Sequence, residues 1–497
     1  MRRWWPRVLA LLTVLALTAA CGGEPPGRTR AADNPAAQGR PNIVVVMVDD
    51  MAMNLLPFMP NVQRMQREGV SLPNNFTTDS LCCPSRASTL TGRFPHSTGV
   101  FTNTAPDGGF GVFHRRGGEN DTIGTRLQAA GYRTGLMGKY LNGYQPGKTV
   151  GGTENYVPPG WDDWQVAGKG YAGFNYAMNS NGRVAHHGGK PEDYLTDVLS
   201  AKASDFIGSS ASQGKPFYLQ LATFTPHAPY TPAPRHAAAF PGLTAPRGPA
   251  FNQPPTNVAW LADRPPLRPK QTAKIDQDFR KRAQSMLAID EMIGSVQRNL
   301  QERGLANNTY LVFTSDNGYH MGQYRLASGK QTAFDTDINV PLVITGPRLH
   351  RGAASPAMAE NIDLAPTFVE LATGTAPSNV DGHSLAPVLY GPPPADWRNA
   401  VLIEHHGPSG RRGDPDRQRP VHGNPPTYNA LRLVGATYIE YPHGPREYYD
   451  LGRDPHQLAN AYELLPPQRQ QQLHAAIQRA VHCHHATSCW SAQHVPG

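Results

Sequence analysis

The run Asn42-Ile43-Val44-Val45-Val46-Met47-Val48 is apolar without alternation and stops at Asp49-Asp50. A surface helix would show polar positions every third or fourth residue, and a half-buried strand at every second. A short run with neither pattern reads as a strand buried on both faces, the setting of a parallel sheet covered by helices. The pattern recurs: residues 132–137 lead into Gly138-Lys139, 217–224 into Pro226-His227, and 310–314 into Ser315-Asp316-Asn317-Gly318, with one more run at 339–345. Helical patterns fall between them at 61–68, from Pro84 onward, at 122–130 and at 194–207. Met286, Ile289, Ile293, Val296 and Leu300 recur at helical spacing. This is an α/β chain with a large, mixed, mostly parallel sheet sandwiched by helices. From about residue 395 the texture changes to short strands at 401–404, 428–434, 438–441 and 447–451, then a helix at 467–481, giving a small C-terminal antiparallel sheet plus helix.

In open α/β sheets, ligands bind beyond the carboxyl ends of the strands. Asp49, Asp50, Lys139, His227, Asp316 and Asn317 all stand there. Asp49, Asp50, Asp316 and Asn317 offer only oxygen ligands, which suit calcium or magnesium. Zinc would call for histidine or cysteine in those two motifs. The Pro-rich stretch 225–269 shows no elements of its own, as functional loops of that length do.

The chain opens MRRWWPRVLALLTVLALTAA, a basic end, an apolar run and then small residues. That is a secretory signal over 1–20, too short and wrongly flanked for a spanning helix. Thr18-Ala19-Ala20 before Cys21 resembles a bacterial lipoprotein cleavage site, with Cys21 acylated and 21–40 as a Gly/Pro/Ala tether. The alternative is an ordinary secreted protein. The net charge of +8 includes three signal arginines, and the remaining excess suits anionic substrates. No nucleic-acid motif is present. Cys483 and Cys489 could close a small disulfide loop in an oxidising compartment. Cys82 and Cys83 are vicinal, and such neighbours rarely pair because the bridge geometry is strained.

Cys82-Cys83-Pro84-Ser85-Arg86, with Ala87-Ser88 and Thr91-Gly92, resembles the signature of the formylglycine-dependent type I sulfatases of the alkaline phosphatase superfamily. VVMVDD (45–50), GLMGKY (135–140), TPHAPY (225–230), SDNGYHMGQ (315–323), Lys330, NVPLVITGP (339–347), NIDLAPT (361–367) and EYYDLGRDP (447–455) extend the likeness over nearly the whole chain after the tether. GKYLNGY and DNGYHMGQ look most like N-acetylglucosamine 6-O-sulfatases and their bacterial relatives.

The resemblance implies an alkaline-phosphatase-like catalytic domain over 41–394, a C-terminal subdomain over 395–497, and hydrolysis of a sulfate ester on a sulfated saccharide. It implies that Cys82, two positions before Pro84, is oxidised to formylglycine by a formylglycine-generating enzyme, leaving Cys83 as a small core residue. The hydrated aldehyde carries two hydroxyls on one carbon. One takes the sulfate, and the other then expels it as the aldehyde reforms. One divalent cation, calcium or else magnesium, would be held by Asp49, Asp50, residue 82, Asp316 and Asn317. Lys139 and Lys330 would offset charge on the transferring group, backbone donors at the helix start would add to them, Arg86 would fix the hydrate, and His227 would protonate the leaving alcohol. His320 and Asn142 would contact substrate. Many family members carry a histidine two residues after the lysine of GK; here that residue is Leu141. The alternatives are a phosphodiester or phosphonate monoester hydrolase of the same superfamily, or a non-catalytic lectin-like surface protein. Finally, 405–420 reads as an exposed loop whose Arg411, Arg412, Arg417 and Arg419 form a basic face partly offset by Asp414 and Asp416. The loop is expected to meet anionic groups away from the scissile ester.

Overall fold

The computed structural model describes residues 39–407, 414, 416, 417 and 419–496. The signal, Cys21, Arg411 and Arg412 lie outside them. A ten-stranded sheet forms the centre. Its middle strand is Asn42–Val48, parallel to Thr309–Ser315 on one side and to Phe217–Ala222 on the other. Arg133–Gly138 continues the parallel run beyond Phe217–Ala222. The absence of alternation in Asn42–Val48 is explained by its two faces. Val44, Val46 and Val48 pack with Phe279, Met286, Ile289 and Ile293. Ile43 and Val45 pack on the other side with Leu90, Leu364 and Phe368.

Several boundaries differ from the sequence reading. The helix bearing the vicinal cysteines is Cys82–Thr91, so it starts two residues before Pro84 and carries Cys82 on its first turn. The helix around Met286 is far longer, Pro269–Glu302. The run at 339–345 reduces to Leu342–Thr345, which pairs antiparallel with Thr309–Ser315. Among the strands that went unread, Asp163–Gly168, Tyr176–Ser180 and Arg183–His187 extend the sheet past Arg133–Gly138. The last two form a hairpin around Asn181 and Gly182, both at positive φ (50° and 85°), as a two-residue primed turn requires.

The C-terminal strands Ala400–His405, Tyr428–Leu433, Ala436–Glu440 and Glu447–Asp450 form a separate antiparallel sheet in that order. The helix Pro467–Ala480 packs on it, followed by a second helix, His485–Ala492. Cys483, in the connection between those two helices, is joined by a disulfide to Cys489 in the second.

Candidate active site

The four adjacent parallel strands deliver their carboxyl ends to one edge. The positions there are Asp316 and Asn317, then Asp49 and Asp50, then the turn to His227, then Lys139. Gly138 makes the last exit possible: its φ is +104°, and a Cβ there would sit 2.0 Å from the Ala222 carbonyl oxygen. Asp50 is also left-handed, at φ 67°, and its N–H donates to Asp316 Oδ1 at 3.1 Å. Such strain, worth on the order of 1 kcal/mol or more, persists where surrounding bonds hold it.

Three cations meet the acidic cluster. Lys139 Nζ lies 2.5 Å from Asp49 Oδ2, Lys330 Nζ 2.6 Å from Asp50 Oδ1, and Arg86 Nε 2.7 Å from Asp316 Oδ2. Burial and the nearby Asp316 raise the Asp49 pKa. Burial acts the same way on Asp316, but Arg86, Lys139 and Lys330 outweigh it and hold that carboxyl at about 2. Burial alone would depress both lysines; Asp49 keeps Lys139 charged, and Asp416 with Asp50 keeps Lys330 charged.

Cys82 Sγ sits inside this ring. Its thiol donates to Asp49 Oδ1 at 3.0 Å, and Lys330 Nζ donates to it at 2.8 Å. Burial and the surrounding carboxylates push the thiol pKa well up. Ligand atoms of Asp49, Asp50, Cys82 and His227 all lie within 4.8 Å of one another. Asn317 Nδ2 donates to Asp50 Oδ1 at 2.8 Å, yet Asn317 Oδ1 is buried with no donor among the described residues. An acceptor left bare beside three carboxylates fits a hard cation, the kind this oxygen set prefers.

Arg86 is a brace. Besides Asp316, it donates to the Lys139 carbonyl at 3.2 Å and the Thr223 carbonyl at 3.5 Å, tying three strand ends together. Cys83 is buried in the core, its thiol pushed up to about 12 by desolvation. Its N–H donates to Asn103 Oδ1, and Pro84 has none to give, so the helix start presents fewer free donors than the sequence reading supposes.

His320 does not join the site. Nδ1 contacts the Asp337 carboxylate at 2.9 Å and Nε2 the His422 carbonyl at 2.8 Å, so both ring nitrogens are taken by the fold. Asn142 does lie at the pocket, with Nδ2 3.5 Å from Asp416 Oδ2 and from the Tyr171 hydroxyl. Asn142, Lys139, Tyr171 and Asp414 line a cavity of about 180 Å³.

In the segment read as an exposed basic loop, Arg417 and Arg419 are exposed but Asp416 is not. Its carboxylate is buried in the site, 2.6 Å from His227 Nε2 and 2.8 Å from Lys330 Nζ, and accepts from Asn103 Nδ2 at 2.6 Å. Burial would lower the His227 pKa, but Asp416, Asp50 and Asp49 raise it to about 8. Tyr171 closes the other side, its ring centroid 4.6 Å from that of His227 and 5.1 Å from Lys139 Nζ. Arg282, from the long helix, donates to the Asp50 and Pro226 carbonyls. Sequence reasoning missed Asp416, Asn103, Tyr171 and Arg282. Only Asp416 had a local signal, an acidic residue in a basic segment.

Residues 41–375 match the family model described as Sulfatase, and 322–483 match N-sulphoglucosamine sulphohydrolase, C-terminal. The chain is 34% identical to N-acetylglucosamine-6-sulfatase of Capra hircus over 87% of this chain and 82% of that protein. Its fold is similar to that of BT4656, solved with its substrate D-glucosamine-2-N,6-O-disulfate, at TM-score 0.73 and 24% identity, covering 88% of this chain and 97% of that one. It is also similar to the phosphonate monoester hydrolase of Agrobacterium radiobacter, at TM-score 0.64 and 21% identity, covering 85% and 92%.

Proposed function

We propose, from the premise that this chain belongs to the sulfatase family, that it hydrolyses sulfate monoesters on a sulfated sugar and that the 6-O-sulfate of a glucosamine unit is the ester it takes. The observation that carries the reading is the position of Cys82 Sγ, buried between Lys330 and the Asp49 carboxylate at the rim of the oxygen cluster. The goat relative, acting as its name says on N-acetylglucosamine 6-sulfate, supports the choice of ester. The phosphonate hydrolase shares the fold only.

Formylglycine at position 82 would supply, as its hydrate, a nucleophilic oxygen and a second hydroxyl on the same carbon. A divalent cation held by Asp49, Asp50, Asp316 and Asn317 would supply Lewis-acid polarisation of a sulfate oxygen and ease deprotonation beside it. The chain's own residues do the rest. Lys139 and Lys330, both buried, hold positive charge against the transferring group. Arg86 keeps Asp316, Lys139 and Thr223 in register rather than touching the ester. His227, held through Nε2 by the Asp416 carboxylate, carries the proton that the leaving oxygen needs. Its Nε2 proton rests on Asp416, which the ester must displace. Export through the leader, acylation of Cys21 and maturation by a formylglycine-generating enzyme belong to the same proposal and rest on sequence motifs alone. No helix among the described residues is long and apolar enough to cross a membrane.

Two measurements test the reading. Mass spectrometry of the Cys82 peptide, after co-production with the maturing enzyme, is expected to show the aldehyde. Glucosamine 6-sulfate turnover is expected to be lost on chelation, restored by calcium or magnesium, and absent in Cys82→Ala. Full activity of Cys82→Ala, or faster turnover of a phosphonate monoester, would overturn it.

A further inference from the structure

Beside the catalytic pocket lies a second cavity of about 970 Å³, within the size range of ligand sites. Arg268, Lys270, Lys274, Lys281, Arg417 and Arg419 line it, against a single carboxylate, Asp278. Asp278 is paired with Lys274. The other five cations have no carboxylate within ion-pair reach among the described residues.

Arg268 is the N-cap of the helix Pro269–Glu302 and Lys270 lies in its first turn, with Lys274 and Lys281 further along the same helix. Two local costs oppose this. The amino end of a helix carries partial positive charge and disfavours cations. Lys270 and Lys274, four apart on one face, repel each other. Positive charge concentrated against both effects matches an anion that neutralises it.

The floor has a different chemistry. Tyr230 and Tyr319 line it, joined by a 2.7 Å hydroxyl hydrogen bond, and the Arg282 guanidinium is held 4.2 Å from the Tyr319 ring centroid. A fixed aromatic floor under a cationic rim fits a pyranose ring with anionic substituents. Its lining is joined through the chain to the residues of the catalytic site: Ala228 and Pro229 follow His227, Arg417 follows Asp416, and Ser328 lies two residues from Lys330.

We propose that this cavity binds a second anionic group of the same glycan, a sulfate or a carboxylate, so that the preferred substrate is a polyanionic oligosaccharide rather than a monosaccharide. The proposal rests on the sulfatase reading above and names its substrate class. It also moves the basic contact expected of the 405–420 segment onto Arg417, Arg419 and the long helix.

The test uses the full chain with Arg268→Gln, Lys270→Gln and Lys281→Gln combined, all at exposed or half-exposed positions. Turnover of an aryl sulfate, of glucosamine 6-sulfate and of a sulfated glucosamine–uronate tetrasaccharide is compared with the unmodified chain. The triple variant is expected to lose about tenfold in kcat/KM on the tetrasaccharide alone, with a flatter dependence on salt. Equal tetrasaccharide turnover, or a parallel fall on all three substrates, would overturn the proposal. Calorimetric binding of a tetrasaccharide lacking 6-O-sulfate gives a readout independent of catalysis, expected to weaken by a similar factor. Unchanged affinity there sinks the cavity proposal whatever the turnover shows, whereas failure of the parent enzyme on the two small substrates sinks the sulfatase reading instead. Carboxyl-reduced and desulfated tetrasaccharides then tell which anion is held, and loss of affinity with neither also overturns the proposal.

Discussion

Asp416 holds His227 Nε2 and Lys330 Nζ, the two donors that the proposed reaction gives to the sulfate ester. Ester and carboxylate therefore compete. Asp416→Asn is expected to lower KM for a small aryl sulfate by about tenfold, the scale of one charge-assisted hydrogen bond, and to make inorganic sulfate a stronger inhibitor. Steady-state kinetics with sulfate as inhibitor decide it, and an unchanged or raised KM would count against the competition. The sequence exposes some of these residues and hides others for a physical reason. Asp49, Asp50, Asp316 and Asn317 are legible because each pair ends an unbroken apolar strand, and such an end has one place to go. Asp416 lies among Pro, Gly and Arg with no periodicity, so only the path of the folded chain brings it to His227. His320 shows the converse: a histidine in a functional motif whose ring the fold itself occupies.

At the level of elements, the site depends on how closely two strands can part. Gly138→Ala would drive a methyl group into the Ala222 carbonyl at a φ of +104°. A cost of roughly 2–4 kcal/mol is expected, with loss of activity as Lys139 shifts, checked by thermal melting and turnover. Melting like the parent with full activity would show that the strand end tolerates the wedge. The parallel strands were readable because burial on both faces removes alternation. The strands at 163–187 were not, since polar residues interrupt their apolar ones and Arg183–His187 is largely exposed; yet Asn181-Gly182 was a hairpin signal that went unused. The C-terminal sheet carries its own test. Glu447 is buried, accepts from the Tyr449 and Tyr441 hydroxyls at 2.7 and 2.8 Å, and is raised by burial from 4.5 to about 7. A raised carboxyl favours the folded state while protonated, so its contribution is complete below 4.5 and is lost as pH rises through 7. Glu447→Gln should remove that loss, gaining up to roughly 3 kcal/mol over the parent at pH 8.5 and little at pH 4.5. Denaturant melts at both values measure it, and an equal gain or loss at the two would contradict the assignment.

Across the whole molecule, the pocket is assembled from distant parts of the chain. Cys82 comes early, Lys330 lies 248 residues later, and Asp416 belongs to the segment between the first two strands of the C-terminal sheet. Folded, Cys82 is fully buried, so a maturing enzyme would find nothing to grip. On the proposed reading, conversion of that residue is then a matter of timing. At about 5–20 residues per second, synthesis from Cys82 to Lys330 takes on the order of 10–50 s. During that interval the lysine that covers the cysteine does not yet exist. The interleaved order that buries Cys82 in the finished fold is the same order that leaves it uncovered while the chain is young.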